Sequence, residues 1–488
     1  MSSEENWLLP PEYAALGGRF CAGQAGAPAP APRMLYWNAA LAEQSGWPAA
    51  AEPDPNLLCG ARAPAHGEGY ATAYAGHQFG HFVPQLGDGR ALLLGDLQLP
   101  AGRAELQLKG SGRTPFSRGG DGKAALGPVL REVIVAESMH ALGVPSTRSL
   151  AAVATGDHVM REAGPQPAAV LARVARSHVR VGTFEYFAAR RDLPSLRALT
   201  DWVIDRHDPD CRQAEIPPLA LLERVCARQA DLVARWLSIG FVHGVMNTDN
   251  MALSGETIDY GPCAFLDEYQ SNKVFSSIDR GGRYAFSNQP AIAQWNLARL
   301  AECLLPLIDA DEERAIALGR APIDDFPRQF QQAWLVHIGL KLGFQSPVDD
   351  DQALIQDLLA TLEREQLDYT LSFRQLAHLL DSAHWPEALP PLPADVLEAW
   401  LPRWRQRLAA QGTTPEAAAR RMRSSNPAVI PRNHRIEAAI AAATGGDFQS
   451  FNNLLAACLR PFDDGPEQLD WMRPPKPAER VLQTFCGT

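Results

Sequence analysis

Several absences narrow the choices before any motif is considered. The chain lacks a basic excess: 45 Lys and Arg are set against 56 Asp and Glu, a formal net charge of −11 over 488 residues. Broad binding to nucleic acid or to an anionic membrane needs a basic face, so neither partner is expected. No run approaches the ~20 consecutive apolar residues of a membrane span. The first residues, Met1 to Asn6, lack the charged-then-apolar order of a signal peptide, and the expectation is a cytoplasmic protein. The eight cysteines are dispersed and include no C-x-x-C pair, so neither a zinc site nor a dense disulfide framework is expected. Internal repeats and long low-complexity linkers are absent too, which argues against a repeat architecture.

What is present divides into four stretches. Residues 1–69 are rich in Ala, Pro and Gly and read as an irregular arm on a folded body. In residues 70–165, strand patterns surround one strong helix. Ala91 to Leu94 is a short apolar run, and in Glu105 to Lys109 the residues Leu106 and Leu108 share one face while Gln107 and Lys109 share the other. Leu126, Val129, Leu130, Val133 and Met139 recur at helical spacing until Gly143 and Pro145 stop the helix. Residues 166–308 read as mainly helical, and residues 309–488 as a helical extension with an apolar stripe at Leu354, Ile355, Leu358, Leu359 and Leu362. Strands with one helix, then helices, predict an α+β, protein-kinase-like fold with a small mixed lobe and a larger helical lobe.

The candidate chemistry follows that order. Gly87-Asp88-Gly89-Arg90 precedes the apolar strand. Its glycines allow backbone amides to approach phosphate oxygens and Arg90 adds a charged donor, although a simple hairpin turn has the same composition. Lys109 ends a strand on its polar face and Glu132 lies in the helix that follows, the order in which kinase-like proteins pair a phosphate-holding lysine with a glutamate; Glu137 is a rival partner. Ser117 to Lys123 is glycine-dense, and suits either a phosphate or ribose wrap or an exposed loop. Arg173 and Arg180, if their segment is helical, lie two turns apart on one face, fit either to grip phosphate or to face solvent.

The strongest segment is His243-Gly244-Val245-Met246-Asn247-Thr248-Asp249-Asn250, followed by Asp259-Tyr260-Gly261. A kinase-like catalytic segment has His, then an Asp base, then a metal-binding Asn, with Asp-Phe-Gly further on. Asn250 and Asp259 fall on the two metal positions, and both supply the hard oxygens that magnesium prefers. Val245 stands where the base is expected and cannot accept a proton. Asp249 is the nearby carboxylate able to replace it.

These motifs, with Tyr74-Ala75-Gly76-His77-Gln78-Phe79-Gly80-His81-Phe82, Leu108-Lys109-Gly110-Ser111-Gly112 and Asn433-His434-Arg435-Ile436-Glu437, closely resemble the selenoprotein O family, also called YdiU. The resemblance runs from about residue 30 to the end. It implies an atypical kinase fold that binds ATP in reversed orientation and attaches AMP to Ser, Thr or Tyr hydroxyls of protein substrates, releasing pyrophosphate. It further implies nucleotide contacts at Gly87, Gly89, Arg90, Lys109, Asp121, Gly122, Arg173, Arg180 and Asp259, a proton acceptor at Asp249, Mg2+ or Mn2+ on Asn250 and Asp259, and Glu132 as the partner of Lys109. Two positions depart from the pattern. The chain ends Cys486-Gly487-Thr488 rather than Cys-Ser-Ser, and Phe275 stands where some bacterial relatives carry a cysteine. A redox bridge would then need another partner for Cys486, such as Cys263.

Overall fold

The strand patterns assemble into one antiparallel sheet. The computed structural model describes residues 7–48, 52–162, 164–381, 384–393 and 395–485. The first part contains β1 (Leu8–Leu9), β2 (Cys21–Gln24), β3 (Arg33–Trp37), α1 (Ala39–Gln44), α2 (Pro55–Cys59), β4 (Gly69–Thr72), β5 (Gly76–Gln78), β6 (His81–Val83), β7 (Ala91–Leu99), β8 (Gly102–Lys109), β9 (Ala124–Ala125), α3 (Leu126–Ala141), β10 (Arg148–Arg161) and β11 (Gly164–Ala175). The main sheet runs β2-β4-β7-β8-β11-β10-β3, with β1 joined to β7 and β9 to β11; β5 and β6 form a separate hairpin. Every ladder among the described residues is antiparallel, so the architecture is α+β rather than a doubly wound parallel sheet.

Two expectations are corrected here. The described residues of the 1–69 stretch are not an irregular arm: they supply β1, β2 and β3, and the beginning of β4, to the sheet. Leu41, Leu57 and Leu58 of this stretch cover one face of the sheet, packed with Leu106, Leu108, Leu150 and Val170. A boundary at 165/166 would also cut the β10–β11 hairpin, whose pairing carries the mixed layer to Ala175. The pattern in β8 is kept, with a difference. Gln107 is fully buried, so its polar face meets protein instead of water.

The helix expected after Leu126 is α3. It packs against β10 and β11 and also against α13 (Asn433–Thr444) and α14 (Gln449–Cys458) of the C-terminal stretch. Burial from both sides explains why its periodicity is weakly one-sided, with Glu132 and Glu137 buried beside Val133 and Ile134. Between these parts lie α4 (Val181–Ala189), α5 (Leu193–His207), α6 (Pro217–Ser238), β12 (Phe241–Val242), β13 (Ala264–Phe265), α7 (Gln289–Ile308), α8 (Glu312–Lys341), α9 (Asp351–Arg364), α10 (Tyr369–Asp381), α11 (Trp400–Ala410) and α12 (Pro415–Ser425), with a last turn, α15 (Leu469–Met472). The described elements after residue 308 are helical, and on α9 Leu354, Ile355, Leu358 and Leu362 are buried while Leu359 is half-buried. Among the described residues no helix is long and apolar enough to cross a membrane.

Candidate active site

Five charged side chains from five separate segments converge. Lys109 at the end of β8 donates to Glu132 Oε2 of α3 at 2.7 Å and to Asp259 Oδ1 at 2.6 Å. Arg173 on β11 donates to Asp259 Oδ1 at 2.7 Å and to Glu132 Oε1 at 3.2 Å, while its Nε and second terminal nitrogen donate to Gln107 Oε1 at 3.0 and 2.7 Å. Arg180 donates to Asp259 Oδ2 at 2.9 Å and to the Asp249 carbonyl at 2.8 Å. Burial alone would raise the Asp259 pKa, but Lys109, Arg173 and Arg180 together hold this carboxyl well below the usual range. Asp88 Oδ1 lies 4.0 Å from the second terminal nitrogen of Arg180, so three cations face three carboxylates.

The structure settles the rivalry on α3. Glu137 points to the far side, accepting from Arg148, from the Ser149 amide at 2.7 Å and from Asn38 at 2.9 Å. It also corrects the reading of Arg173 and Arg180, which share no helix. Arg173 is in a strand and Arg180 is the residue before α4, yet the chain brings both guanidinium groups to one carboxylate.

The segment carrying His243 to Asn250 leaves β12, and the Asp-Tyr-Gly turn enters β13; the pairing of Phe241 with Phe265 closes the unit. His243 is fully buried, and its Nε2 lies 2.9 Å from the Ile258 carbonyl, tying the two halves together. Asp259 has φ +64, a left-handed backbone unusual for a non-glycine residue and a strain that functional sites accumulate. Val245 is buried and aliphatic, as the sequence requires. Burial pushes the Asp249 carboxyl up to about 6, against the lowering influence of Arg180. Its Oδ1 is buried with no hydrogen-bond partner among the described residues.

The glycine-rich segments pack closely against neighbouring turns. The 87–90 loop is not a hairpin turn of the main sheet: it links β6 of the separate hairpin to β7. Gly87 has φ +69, and a β-carbon there would lie 2.3 Å from the Phe116 ring. Gly89 meets the 114–117 turn, whose Ser117 hydroxyl donates to the Gly89 carbonyl at 2.5 Å. Asp88 is turned inward and accepts from Thr72 and Gln107. The Arg90 carbonyl accepts from the Gly110 amide at 2.7 Å, while its side chain makes no hydrogen bond or ion pair among the described residues. Gly122 folds back on Gly112, where a β-carbon would lie 2.1 Å from the Gly112 carbonyl oxygen. Asp121 is exposed and paired with Arg161 at 2.8 Å, outside the five-charge cluster.

Two oxygen groups suit a divalent cation. Asn250 Nδ2 donates to the Val245 carbonyl at 2.9 Å, which leaves Oδ1 without a protein donor among the described residues. The Asp259 carboxylate is the second. Among the described residues no three His, Cys, Asp or Glu side chains gather as a metal group. This set fits magnesium-type binding, in which one or two carboxylates act with ligand phosphates and water.

Sequence reasoning missed Gln107, Asp88, Tyr74, Gln78, Thr248 and Glu185, all of which contact the named residues. All but Glu185 fall within the sequence motifs described above, where they had been given no role at the site. Cys263 is buried, and burial pushes its thiol up to about 11, which disfavours a reactive thiolate. Cys486 lies outside the described residues. Nearby, Thr484 donates to the Phe275 carbonyl at 2.8 Å, so the tail is tied to that position by a backbone hydrogen bond.

Comparison with known proteins identifies the family. The family model described as protein adenylyltransferase SelO matches residues 6–459. A protein nucleotidyltransferase YdiU of Agrobacterium fabrum is 53% identical over 481 residues, covering 98% of this chain and 99% of the relative. The proteins of the same name from Rhodopseudomonas palustris and a Bradyrhizobium species are 54% and 55% identical, each covering 98% of both chains.

Proposed function

Because this chain belongs to the protein adenylyltransferase SelO family, we propose that it transfers AMP from ATP to Ser, Thr or Tyr hydroxyls of other proteins and releases pyrophosphate. A two-lobed, kinase-like arrangement is part of this reading. The sheet with α3 serves as the small lobe, and the helices around the 243–261 segment serve as the large one. The observation that carries it is the pairing of an aliphatic Val245 with a buried carboxylate four residues on, whose Oδ1 is orphaned beside the cation cluster.

In this mechanism Asp249 Oδ1 accepts the proton of the attacking hydroxyl as oxygen bonds to the α-phosphorus and the bond to pyrophosphate breaks. A carboxyl raised to about 6 remains ionised at neutral pH and is a better base than an ordinary aspartate. Lys109, Arg173 and Arg180 stabilise the charge that collects on the departing pyrophosphate, and Glu132 holds Lys109 in place. Arg90, Gly87, Gly89, Asp121 and Gly122 line the nucleotide path in the same reading. A divalent cation, magnesium or manganese, would be held by Asn250 and Asp259 and neutralise charge on phosphate oxygens.

The decisive experiment offers ATP labelled at the α or the γ phosphate, with the chain and an unstructured casein as acceptors. Label from the α position only, lost in Asp249→Ala and Asp259→Ala, is expected. Label from the γ position would replace this reading with ordinary phosphotransfer, and no label from either would leave a nucleotide-binding scaffold.

A further inference from the structure

Each residue from Tyr74 to Phe79 touches the candidate site. The Arg180 guanidinium lies 4.6 Å from the Tyr74 ring centroid. The Ala75 amide donates to the Gly182 carbonyl at 2.9 Å. A β-carbon on Gly76 would lie 2.6 Å from Asp249 Oδ1. The His77 amide donates to Thr248 Oγ1 at 2.6 Å, and Gln78 Nε2 donates to Asp249 Oδ2 at 3.4 Å. The Phe79 amide donates to Asn247 Oδ1 at 3.1 Å, an atom that also accepts from the Tyr284 hydroxyl at 2.6 Å. Slipping this hairpin by one residue would drive a side chain into Asp249, so the close approach at Gly76 specifies a single register.

Glu185 of α4 joins the two sides. Its Oε2 accepts from the Thr248 hydroxyl at 2.5 Å, and its Oε1 lies 2.5 Å from His77 Nδ1. The Glu185 side chain is 4% exposed, so water has little access to replace these bonds. The Trp295 ring packs edge-on against His77 at 5.2 Å. The Thr248 oxygen both donates to Glu185 and accepts from the His77 amide, which leaves it little capacity to bind a ligand.

We propose that Glu185, Thr248 and His77 form a buried clasp that locks the 247–250 segment onto the β5–β6 hairpin and so positions Asp249 for proton transfer. This rests on the reading of Asp249 as proton acceptor. Gln78 engages Oδ2 and leaves Oδ1 without a protein partner among the described residues, and Gly76 lets the hairpin backbone approach Asp249 closely. All three clasp residues act through Asp249; they are positioning residues. Misplacing a reacting group by about 1 Å can cost on the order of 10²-fold in rate.

The test compares Thr248→Val, which removes the hydroxyl while keeping the shape, with Thr248→Ser, which keeps the hydroxyl. Initial rates of label transfer from α-labelled ATP are measured in parent and Asp249→Asn backgrounds, alongside ATP affinity. Thr248→Val is expected to lower kcat about 30- to 100-fold with KM for ATP within about twofold, and Thr248→Ser to stay within about threefold of the parent. In the Asp249→Asn background the same valine is expected to cost less than about threefold, because nothing remains to be positioned. A parent-like rate for Thr248→Val, a loss tracking ATP affinity, or an undiminished loss without Asp249 would each overturn the clasp. Full activity of Asp249→Asn alone would overturn the proton-acceptor reading, and the clasp with it. If Thr248→Val fails to fold, the isosteric Glu185→Gln is read by the same criteria.

Discussion

Arg173 and Arg90 both enter as nucleotide-binding arginines, yet the structure predicts opposite consequences of removing them. Arg173 is 2% exposed and gives two hydrogen bonds to Gln107, one to Glu132 and one to Asp259. Its five N–H donors are therefore nearly all committed inside the protein. Arg173→Met leaves Gln107 Oε1 without a donor and deprives buried Glu132 and half-buried Asp259 of a shared cation. Breaking a buried charged pair from one side costs about 3–5 kcal/mol. Lys109 and Arg180 still face the carboxylates, which places the expected loss near the lower figure, about 3 kcal/mol. The orphaned Gln107 acceptor, itself worth about 1–3 kcal/mol, is contained in that loss rather than added to it. Arg90 has no such partners, and Arg90→Met is expected to stay within about 0.5 kcal/mol of the parent while weakening ATP binding. Urea unfolding of the ligand-free proteins, followed by tryptophan fluorescence, measures the difference. Unfolding of Arg173→Met at the parent midpoint, with an unchanged slope, would refute the argument.

Asp96 and Glu105 face each other across β7 and β8, and both carboxyls are raised, Asp96 by burial and then by Glu105, and Glu105 by burial. A raised carboxyl contributes stability below its unfolded pKa that is lost as pH rises through its folded pKa, so Glu105→Gln should gain relative to the parent between about pH 5 and 7.5, and equal pH dependence of the two in thermal unfolding would contradict this. Gly76→Ala places a β-carbon 2.6 Å from Asp249 Oδ1 and 3.0 Å from its β-carbon, so kcat for AMP transfer should fall about 10²-fold, and a parent-like kcat would show that the hairpin yields freely. Glu132→Gln should weaken ATP-dependent turnover, whereas Glu137→Gln should act on stability, because Glu137 holds Arg148 and Ser149 rather than Lys109; steady-state rates and unfolding midpoints separate the two, and matched profiles would defeat the distinction. Cys263 should resist native-state thiol labelling until the chain unfolds, given its burial and raised thiol.

The sequence by itself determined the local chemistry of this protein. Alternation in Glu105 to Lys109 put Lys109 on the polar face, helical spacing after Leu126 placed Glu132 behind it, and Val245 beside Asp249 and Asn250 announced an altered catalytic segment. These are short-range facts, since strand and helix periods act over a few residues. Tertiary structure decided what depends on contacts between distant residues. It chose Glu132 over Glu137, brought a strand arginine and a pre-helix arginine to one carboxylate, and turned an Ala- and Pro-rich start into three strands that help close the sheet. The weak alternation of β1 to β3 carried little sign of this, because their pairing partners lie elsewhere in the chain. The Tyr74–Phe79 motif shows the limit most clearly: its residues are legible, but the hydrogen bonds that give them meaning run to Glu185, Asn247, Thr248 and Asp249, more than a hundred positions away.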